Sequence, residues 1–109
     1  RELVLKATDI STVVTGRPSG HPVRALKTPL QRKCLQLEKN PTQQSLEELE
    51  AATAGALRKA VQDGNYEEGT FMSGQVAGMV NTPSNCHDII RKITGEAEQL
   101  LKGAAARFQ

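Results

Sequence analysis

A chain of 109 residues is long enough for one domain, and its composition excludes several classes of protein. Lys and Arg number fourteen against twelve Asp and Glu, and this small imbalance indicates neither nucleic-acid binding nor attachment to an anionic membrane. Only 38% of the residues are hydrophobic and 3% are aromatic. The core therefore has to depend on Leu, Ile, Val and Met, and we expect a marginally stable domain that packs against a partner.

The hydropathy pattern and the cysteines predict a cytoplasmic protein. No apolar run approaches the roughly 20 residues that span a bilayer, and no signal peptide is visible. Cys34 and Cys86 lack the spacing of a metal-ligand pair, so we expect two reduced thiols and no metal site. Because the chain begins with Arg1 rather than Met, we expect a piece of a longer protein.

The first 27 residues combine a short strand with a Pro- and Gly-rich stretch. The β-branched run from Ile10 to Thr15 predicts the strand. The next stretch, GRPSGHPVRALKTP at residues 16–29, is either a phosphate cradle or a rigid turn. It lacks the Gly-Lys-Ser/Thr ending of a P-loop, and its prolines remove backbone N–H groups. A turn that links the strand to a helix is therefore favoured, with His21 exposed on it.

Helical patterns begin at residue 28. A Thr-Pro pair begins a predicted helix over residues 28–40. Ser45, with Glu48 three residues later, forms a capping box that predicts a second helix. This helix is expected to break and to resume over residues 54–61. Asp63-Gly64-Asn65 then stops it.

Residues 69–80, GTFMSGQVAGMV, predict a helix with one face of small side chains, because Gly74 and Gly78 are four residues apart. One interpretation is tight packing of this helix against a sheet. The other is that the start of the helix faces a bound cofactor or substrate in an apolar pocket. The residues that would then face the ligand are Met72, Ser73 and Gln75.

The clearest element is a C-terminal helix that begins at residues 82–84. Asp88 lies near its positive end, and one apolar stripe continues from there to the end. Cys86 is expected to be packed as part of that stripe. His87 would point about 100° away from it, so the two cannot form a nucleophile–base pair. The members of the stripe are Cys86, Ile89, Ile90, Ile93, Ala97, Leu100, Leu101 and Ala104.

Three segments together resemble one enzyme family: ATDISTVVTGRPSGHPVRALKTPLQRK, GALRKAVQDGNYEEGTFMSGQVAGMV and CHDIIRKITGEAEQLL. They are similar to the C-terminal part of the FMN-dependent enoyl-acyl-carrier-protein reductases and the related nitronate monooxygenases (2-nitropropane dioxygenases). The resemblance covers nearly the whole chain, in the same order. The blocks TGRPSGHPVRALK and GTFMSGQVAGMV are its most specific parts.

The resemblance implies a mainly α fold, an α+β fragment of a TIM-type β/α barrel enzyme. Residues 1–27 would form a short strand and a linker, and residues 28–83 a helical domain on the substrate side. Residues 84–109 would form the final barrel helix and a tail. The barrel strands, the flavin-phosphate loops and the catalytic histidine of such enzymes precede this segment, so His21 does not correspond to that histidine.

The function implied by the resemblance is that of an FMN-dependent oxidoreductase, with NAD(P)H as electron donor and an enoyl-acyl-carrier protein of fatty acid synthesis as substrate. The GHPVRALK form favours this reductase over the alternative, oxygen-dependent oxidation of nitronates. FMN would be bound mainly by the barrel, the complete enzyme would be a homodimer, and this segment alone would be inactive. An alternative of another class is a helical interaction module without chemistry of its own.

The resemblance also suggests which residues approach the ligand. Met72 is the main candidate for lining the flavin and substrate pocket, and no residue of the segment is expected to be catalytic. The neighbours of Met72 in the same motif are further candidates, and two residues of the GHPVR motif are candidates for facing substrate. These residues are Ser73, Gly74 and Gln75, and His21 and Arg24.

Overall fold

The computed structural model describes residues 1–107, which form a mainly helical fold with one small sheet. The fold class predicted for the chain itself, helices with short strands near the start, is confirmed. Phe108 and Gln109, the end of the predicted tail, lie outside the described residues. The elements in chain order are α1 (Glu2–Leu5), β1 (Thr12–Thr15), β2 (Val23–Leu26), α2 (Pro29–Glu38), α3 (Gln43–Thr53), α4 (Ala56–Asp63), a 3-10 helix (Gln75–Met79) and α5 (Cys86–Arg107).

The Pro- and Gly-rich stretch is the loop of a β-hairpin. Strands β1 and β2 pair antiparallel, with Thr15 opposite Val23, and residues 16–22 form the hairpin loop between them. The stretch is a turn, as predicted. The prediction that it leads directly from a strand to a helix was wrong, because VRAL, residues 23–26, is itself a strand. The Pro and Gly signals mark the loop but do not reveal that a second strand comes after it.

A third segment extends the hairpin on its β2 side. Residues 70–73, named here the pairing segment, form an antiparallel bridge between Met72 and Ala25. The Leu26 amide donates to the Phe71 carbonyl at 2.9 Å, on the same edge of β2. Since side chains alternate along a strand and partners across strands share a face, this layer has two distinct sides.

One side of the layer packs on α1 and the 3-10 helix. Leu26 joins Ala7 and Ala77 in a small buried cluster, and the partly buried Phe71 packs against it. The other side faces α2, on which Gln31 is buried. The two helices α2 and α3 then pack on each other through a second buried cluster. Its members are Leu30, Cys34, Leu49 and Ala56.

Helix α3 begins earlier than its sequence suggested. The capping box consists of Thr42 and Ser45, with the Ser45 amide donating to Thr42 Oγ1 and the Thr42 amide to Ser45 Oγ. The predicted box of Ser45 and Glu48 was wrong, because Thr42 offers a hydroxyl one turn earlier. The predicted break is confirmed at Ala54 and Gly55, where α3 ends and α4 begins.

The predicted helix over residues 69–80 was wrong for most of its length. The pairing segment is extended, and only Gln75–Met79 turns, as a short 3-10 helix. The reason for the small residue at Gly78 is nonetheless close packing, since a Cβ there would lie 2.7 Å from the Thr8 carbonyl carbon. The contact is with the backbone after α1 and not with a sheet.

Helix α5 extends the molecule to 62 × 32 × 20 Å. Along it Gly95 is half-buried, and the other side chains whose burial is described are exposed. The expectation that Cys86 is packed was wrong for this chain, because the whole predicted stripe faces outward. Within residues 1–107 no helix combines the length and the apolar character needed to cross a bilayer. The large exposed members of the stripe are Ile89, Ile90, Ile93, Leu100 and Leu101.

Gly16, the first residue of the hairpin loop, should tolerate no side chain. Its φ is +85°, and a Cβ would lie 2.2 Å from the His21 carbonyl oxygen. Gly20 has a φ of +77° but open space around it. We expect Gly20→Ala to cost about 1–2 kcal/mol through its backbone conformation alone, and Gly16→Ala to cost more. Thermal unfolding of the two variants of the intact protein checks this; equal losses would contradict the steric argument.

Candidate functional site: a pocket beside the hairpin

A pocket of about 490 Å³ lies where the hairpin, α3, the first turn of α4 and the pairing segment meet. This volume is within the range of roughly 300–1,000 Å³ that is usual for small-molecule sites. The wall is mostly apolar, the floor is made of hydroxyl and amide groups, and carboxylates lie on the α3 side. The apolar wall consists of Val23, Leu46, Leu49, Leu57 and Met72.

Met72 reaches this pocket because of strand alternation. It pairs with Ala25 across the β2 edge, so its side chain lies on the same face as that of Val23, two residues before Ala25. Phe71, its neighbour, points to the opposite face and packs in the cluster near α1. Met72 is 54% exposed and lies where a ligand would cover it.

The floor of the pocket is a buried hydrogen-bond network centred on Gln31. The Thr15 hydroxyl donates to Gln31 Oε1 at 2.9 Å, and Gln31 Nε2 donates to Thr70 Oγ1 at 3.2 Å. Gln31 is only 1% exposed. The amide therefore joins β1, α2 and the pairing segment, and it fixes the backbone two residues before Met72. Across the described residues, every buried side-chain nitrogen or oxygen has a partner.

The charged groups on the pocket are acidic. Glu47 and Glu50 line its α3 side, and no Lys or Arg is among the lining residues that the structure describes. Gln43 Nε2 donates to Glu47 Oε1 at 3.0 Å and orients that carboxylate. His21 also lines the pocket, from the hairpin loop. A neutral ligand thus fits this wall better than an anion does.

The hairpin loop does not fit a flavin phosphate. The Gly16 amide donates to Glu38 Oε1 at 2.6 Å, and the His21 amide donates to the Gly16 carbonyl at 3.0 Å. Pro18 and Pro22 have no N–H to offer. A phosphate there would meet a carboxylate and amides that already have acceptors. We therefore assign no FMN contact to this loop and derive no chemical step from it.

The other residues singled out from the sequence lie beside the pocket rather than on it. The Ser73 amide donates to the Arg24 carbonyl at 3.2 Å, and Gly74 precedes the 3-10 helix that begins at Gln75. Arg24 lies on the opposite face of β2 from Val23, where its guanidinium donates to Thr12 Oγ1 at 2.9 Å. Of the residues singled out from the sequence, Met72 and His21 line the pocket, and Thr70 of the same motif as Met72 lines it as well. The roles of all these residues towards a ligand stay predictions.

Several pocket residues were not identified from the sequence. Leu46 and Leu49 on α3, Leu57 on α4 and Gln31 on α2 line the pocket, and none of them was predicted to face a ligand. A glutamine among Leu30 and Cys34 on a buried helix face is the signal that was available. A polar residue at a core position needs partners, and these partners form the floor of the site.

The two cysteines are free and differ in environment. Cys34 is fully buried, and this burial, together with the nearby negative charge of Glu38, raises the pKa of its thiol. A neutral, buried thiol is a poor nucleophile, so Cys34 acts as a small core residue. Cys86 is exposed at the start of α5. Within the described residues, no three His, Cys, Asp or Glu side chains come together as metal ligands.

Comparison with known proteins gives the family of the chain. The family model for nitronate monooxygenase matches residues 1–96. The chain belongs to the nitronate monooxygenase family. Members of this family are flavin oxidoreductases. The family predicted from the sequence motifs is thereby confirmed.

Solved structures agree with this family. FabK from Thermotoga maritima is similar with a TM-score of 0.84 and 35% sequence identity, over 96% of this chain and 32% of FabK. A methionine-to-alanine variant of FabK from Thermotoga maritima matches with a TM-score of 0.73 and 32% identity, over 96% of this chain and 30% of the variant. The chain thus spans about a third of the structures it matches. No curated protein sequence matches it significantly.

Replacement of Gln31 should destabilise the protein through its partners. Gln31→Leu keeps a similar volume but leaves the hydroxyls of Thr15 and Thr70 buried without the amide, at about 1–3 kcal/mol for each unsatisfied group. We expect the triple variant Gln31→Leu, Thr15→Val, Thr70→Val to recover most of the lost free energy of unfolding, since it leaves no buried polar group of this network without a partner. Denaturant unfolding of the intact protein measures both; a triple variant no more stable than Gln31→Leu would refute the network argument.

Replacement of Met72 should weaken ligand binding without loss of cofactor. In the intact protein, Met72→Ala removes part of the apolar wall, and we expect substrate affinity to fall by about 1 kcal/mol, or roughly fivefold. Flavin content should not change. Met79→Ala is the matched control, because Met79 is exposed on the 3-10 helix and does not line the pocket. Equal effects of the two variants on KM would remove Met72 from the site.

Proposed function

We propose that the chain is the substrate-side part of an FMN-dependent oxidoreductase that reduces enoyl thioesters carried by acyl-carrier protein in the cytoplasm. The observation that carries the proposal is the similarity to FabK, an enoyl-acyl-carrier-protein reductase, at 35% identity over 96% of this chain. The flavin would be held by the remaining two thirds of such an enzyme. The chain itself would bind and shield the substrate.

The chemistry of the pocket supports a thioester over a nitronate. A nitronate is a small anion, and it would face Glu47 and Glu50 on a wall whose described residues include no Lys or Arg. An enoyl chain is neutral and apolar, and it would gain from contact with Leu46, Leu57 and Met72. Charge and polarity therefore both favour the reductase over the monooxygenase, which is the second candidate because of the family match.

The overall reaction is a reduction of a carbon–carbon double bond. NAD(P)H and one proton convert the enoyl thioester into the saturated thioester, and NAD(P)+ is released. FMN supplies the redox chemistry when bound. The pocket residues of this chain would orient the substrate and exclude water during the reaction. No group in this chain is assigned the transfer of a proton or a hydride.

Two activities of the intact protein separate the candidates. The complete polypeptide that contains this chain is purified with its flavin. NAD(P)H oxidation is then followed with an enoyl thioester, and oxygen consumption with a nitronate. We expect thioester-dependent oxidation of NAD(P)H with a kcat/KM at least about tenfold above that for the nitronate, a difference of about 1.4 kcal/mol in transition-state stabilisation.

The opposite result is equally informative. Oxygen consumption with the nitronate, together with no thioester-dependent oxidation of NAD(P)H, would refute the reductase and establish the monooxygenase. A protein that contains flavin near one equivalent but shows neither activity would refute both. A protein that binds no flavin at all would favour a helical interaction module without chemistry of its own.

A further inference from the structure

We propose that the pocket holds the acyl chain of the thioester and that Leu57 sets the length of chain it accepts. This inference rests on the function proposed above and adds the residue that determines selectivity. Leu57 lies in the first turn of α4 and is the one residue of that helix on the pocket among the described residues. Its side chain is apolar and belongs to the same wall as Leu46 and Met72.

The polar groups of the floor do not require a polar ligand. Gln31 uses its carbonyl for the Thr15 hydroxyl and its amide for Thr70. Since the polar groups of the floor have hydrogen-bond partners within the chain, a hydrocarbon can lie over them without leaving a buried donor or acceptor unpaired. The wall above the floor is built of Leu, Val and Met side chains, which match a hydrocarbon chain in polarity.

The carboxylates on α3 disfavour a negatively charged group at the end of the acyl chain. Glu47 and Glu50 line the pocket, and Glu47 is held by Gln43. A ligand that ended in a carboxylate would bring a like charge towards them, which disfavours binding. The pocket is thus suited to a neutral hydrocarbon tail and not to the phosphate or carboxylate groups of a carrier. Those groups would have to remain outside it.

Leu57 is a position at which the size of the pocket can change without a change in the core. Its side chain lines the pocket. It is 48% exposed and belongs to neither buried cluster. It comes directly after Ala56, which is buried in the cluster with α2 and α3 and fixes the start of α4. Gly55, in the left-handed conformation, sets the direction in which the helix leaves α3. The backbone position of Leu57 is therefore fixed relative to α2 and α3.

The helix also provides a matched control. Val61 lies one turn after Leu57 on the same side of α4, and it is 76% exposed and does not line the pocket. A Phe at either position places the same aromatic ring at an exposed site on one helix, and the substitution at position 61 adds the larger bulk. Only the Phe at position 57 would occupy space that the acyl chain needs.

The test compares kcat/KM of the intact flavoprotein across a series of enoyl thioesters from butenoyl to dodecenoyl. We expect Leu57→Phe to lower the ratio of long-chain to short-chain kcat/KM on the order of tenfold, the usual effect of lost pocket space. Leu57→Ala should raise the same ratio. Val61→Phe should leave this ratio at the value of the unchanged protein, because position 61 does not line the pocket.

Failure of the inference and failure of the proposed function give different results. If the unchanged protein reduces the series but Leu57→Phe and Val61→Phe give the same chain-length ratio, Leu57 is not the selectivity residue and the function stands. If the unchanged protein reduces no thioester, the proposed function is refuted and the inference falls with it. Flavin content and thermal stability of each variant, expected to equal those of the unchanged protein, exclude a general loss of structure.

Discussion

The arrangement of this chain depends on one buried amide. Gln31 accepts a hydrogen bond from Thr15 and donates one to Thr70, and so links the first strand, the second helix and the segment that carries Met72. None of these elements could be stable alone, because a two-stranded hairpin and a ten-residue helix are both marginal in water. A buried polar group is costly when its partners are missing, which makes this junction specific. The network therefore keeps three distant parts of the chain in one arrangement.

The pocket depends on the two sides of the layer that this junction holds together. One side is closed by Leu26, Phe71 and the short elements near the first helix. The other side stays partly open, and its opening is the pocket. The low hydrophobic content noted in the sequence is consistent with this organisation, because much of the apolar surface lines the pocket or faces outward instead of filling a core. The long last helix, with its exposed isoleucines and leucines, adds to that outward surface.

Several local signals in the sequence predicted the local structure correctly. The start of α2 at a Thr-Pro pair, the break between α3 and α4, and the stop at Gly64 depend on residues that are neighbours in the chain. Non-local structure was not predicted. The pairing of Met72 with Ala25 joins positions far apart in the sequence, and no periodicity in a single segment reveals it. The small residues after Met72 suggested a helix because their spacing fits one, whereas the strand edge of β2 holds the preceding segment extended. Met72 was predicted to line a pocket because of the motif that contains it. The leucines of the pocket wall belong to no such motif and were not predicted.

The alternation of side chains in the pairing segment has a consequence for variation in length. Phe71 and Met72 occupy opposite faces only while the segment keeps its present alignment with β2. One residue inserted or deleted between Gly64 and Thr70 would exchange them, placing the methionine in the core and the phenyl ring on the pocket, and would move Thr70 away from its amide. The connection after α4 is short and, apart from Asn65 and Gly69, exposed, and changes of length are usually harmless in such a connection. Here the length of the connection determines which side chain of the pairing segment lines the pocket. Homologous enzymes that share the pocket should therefore keep this length constant.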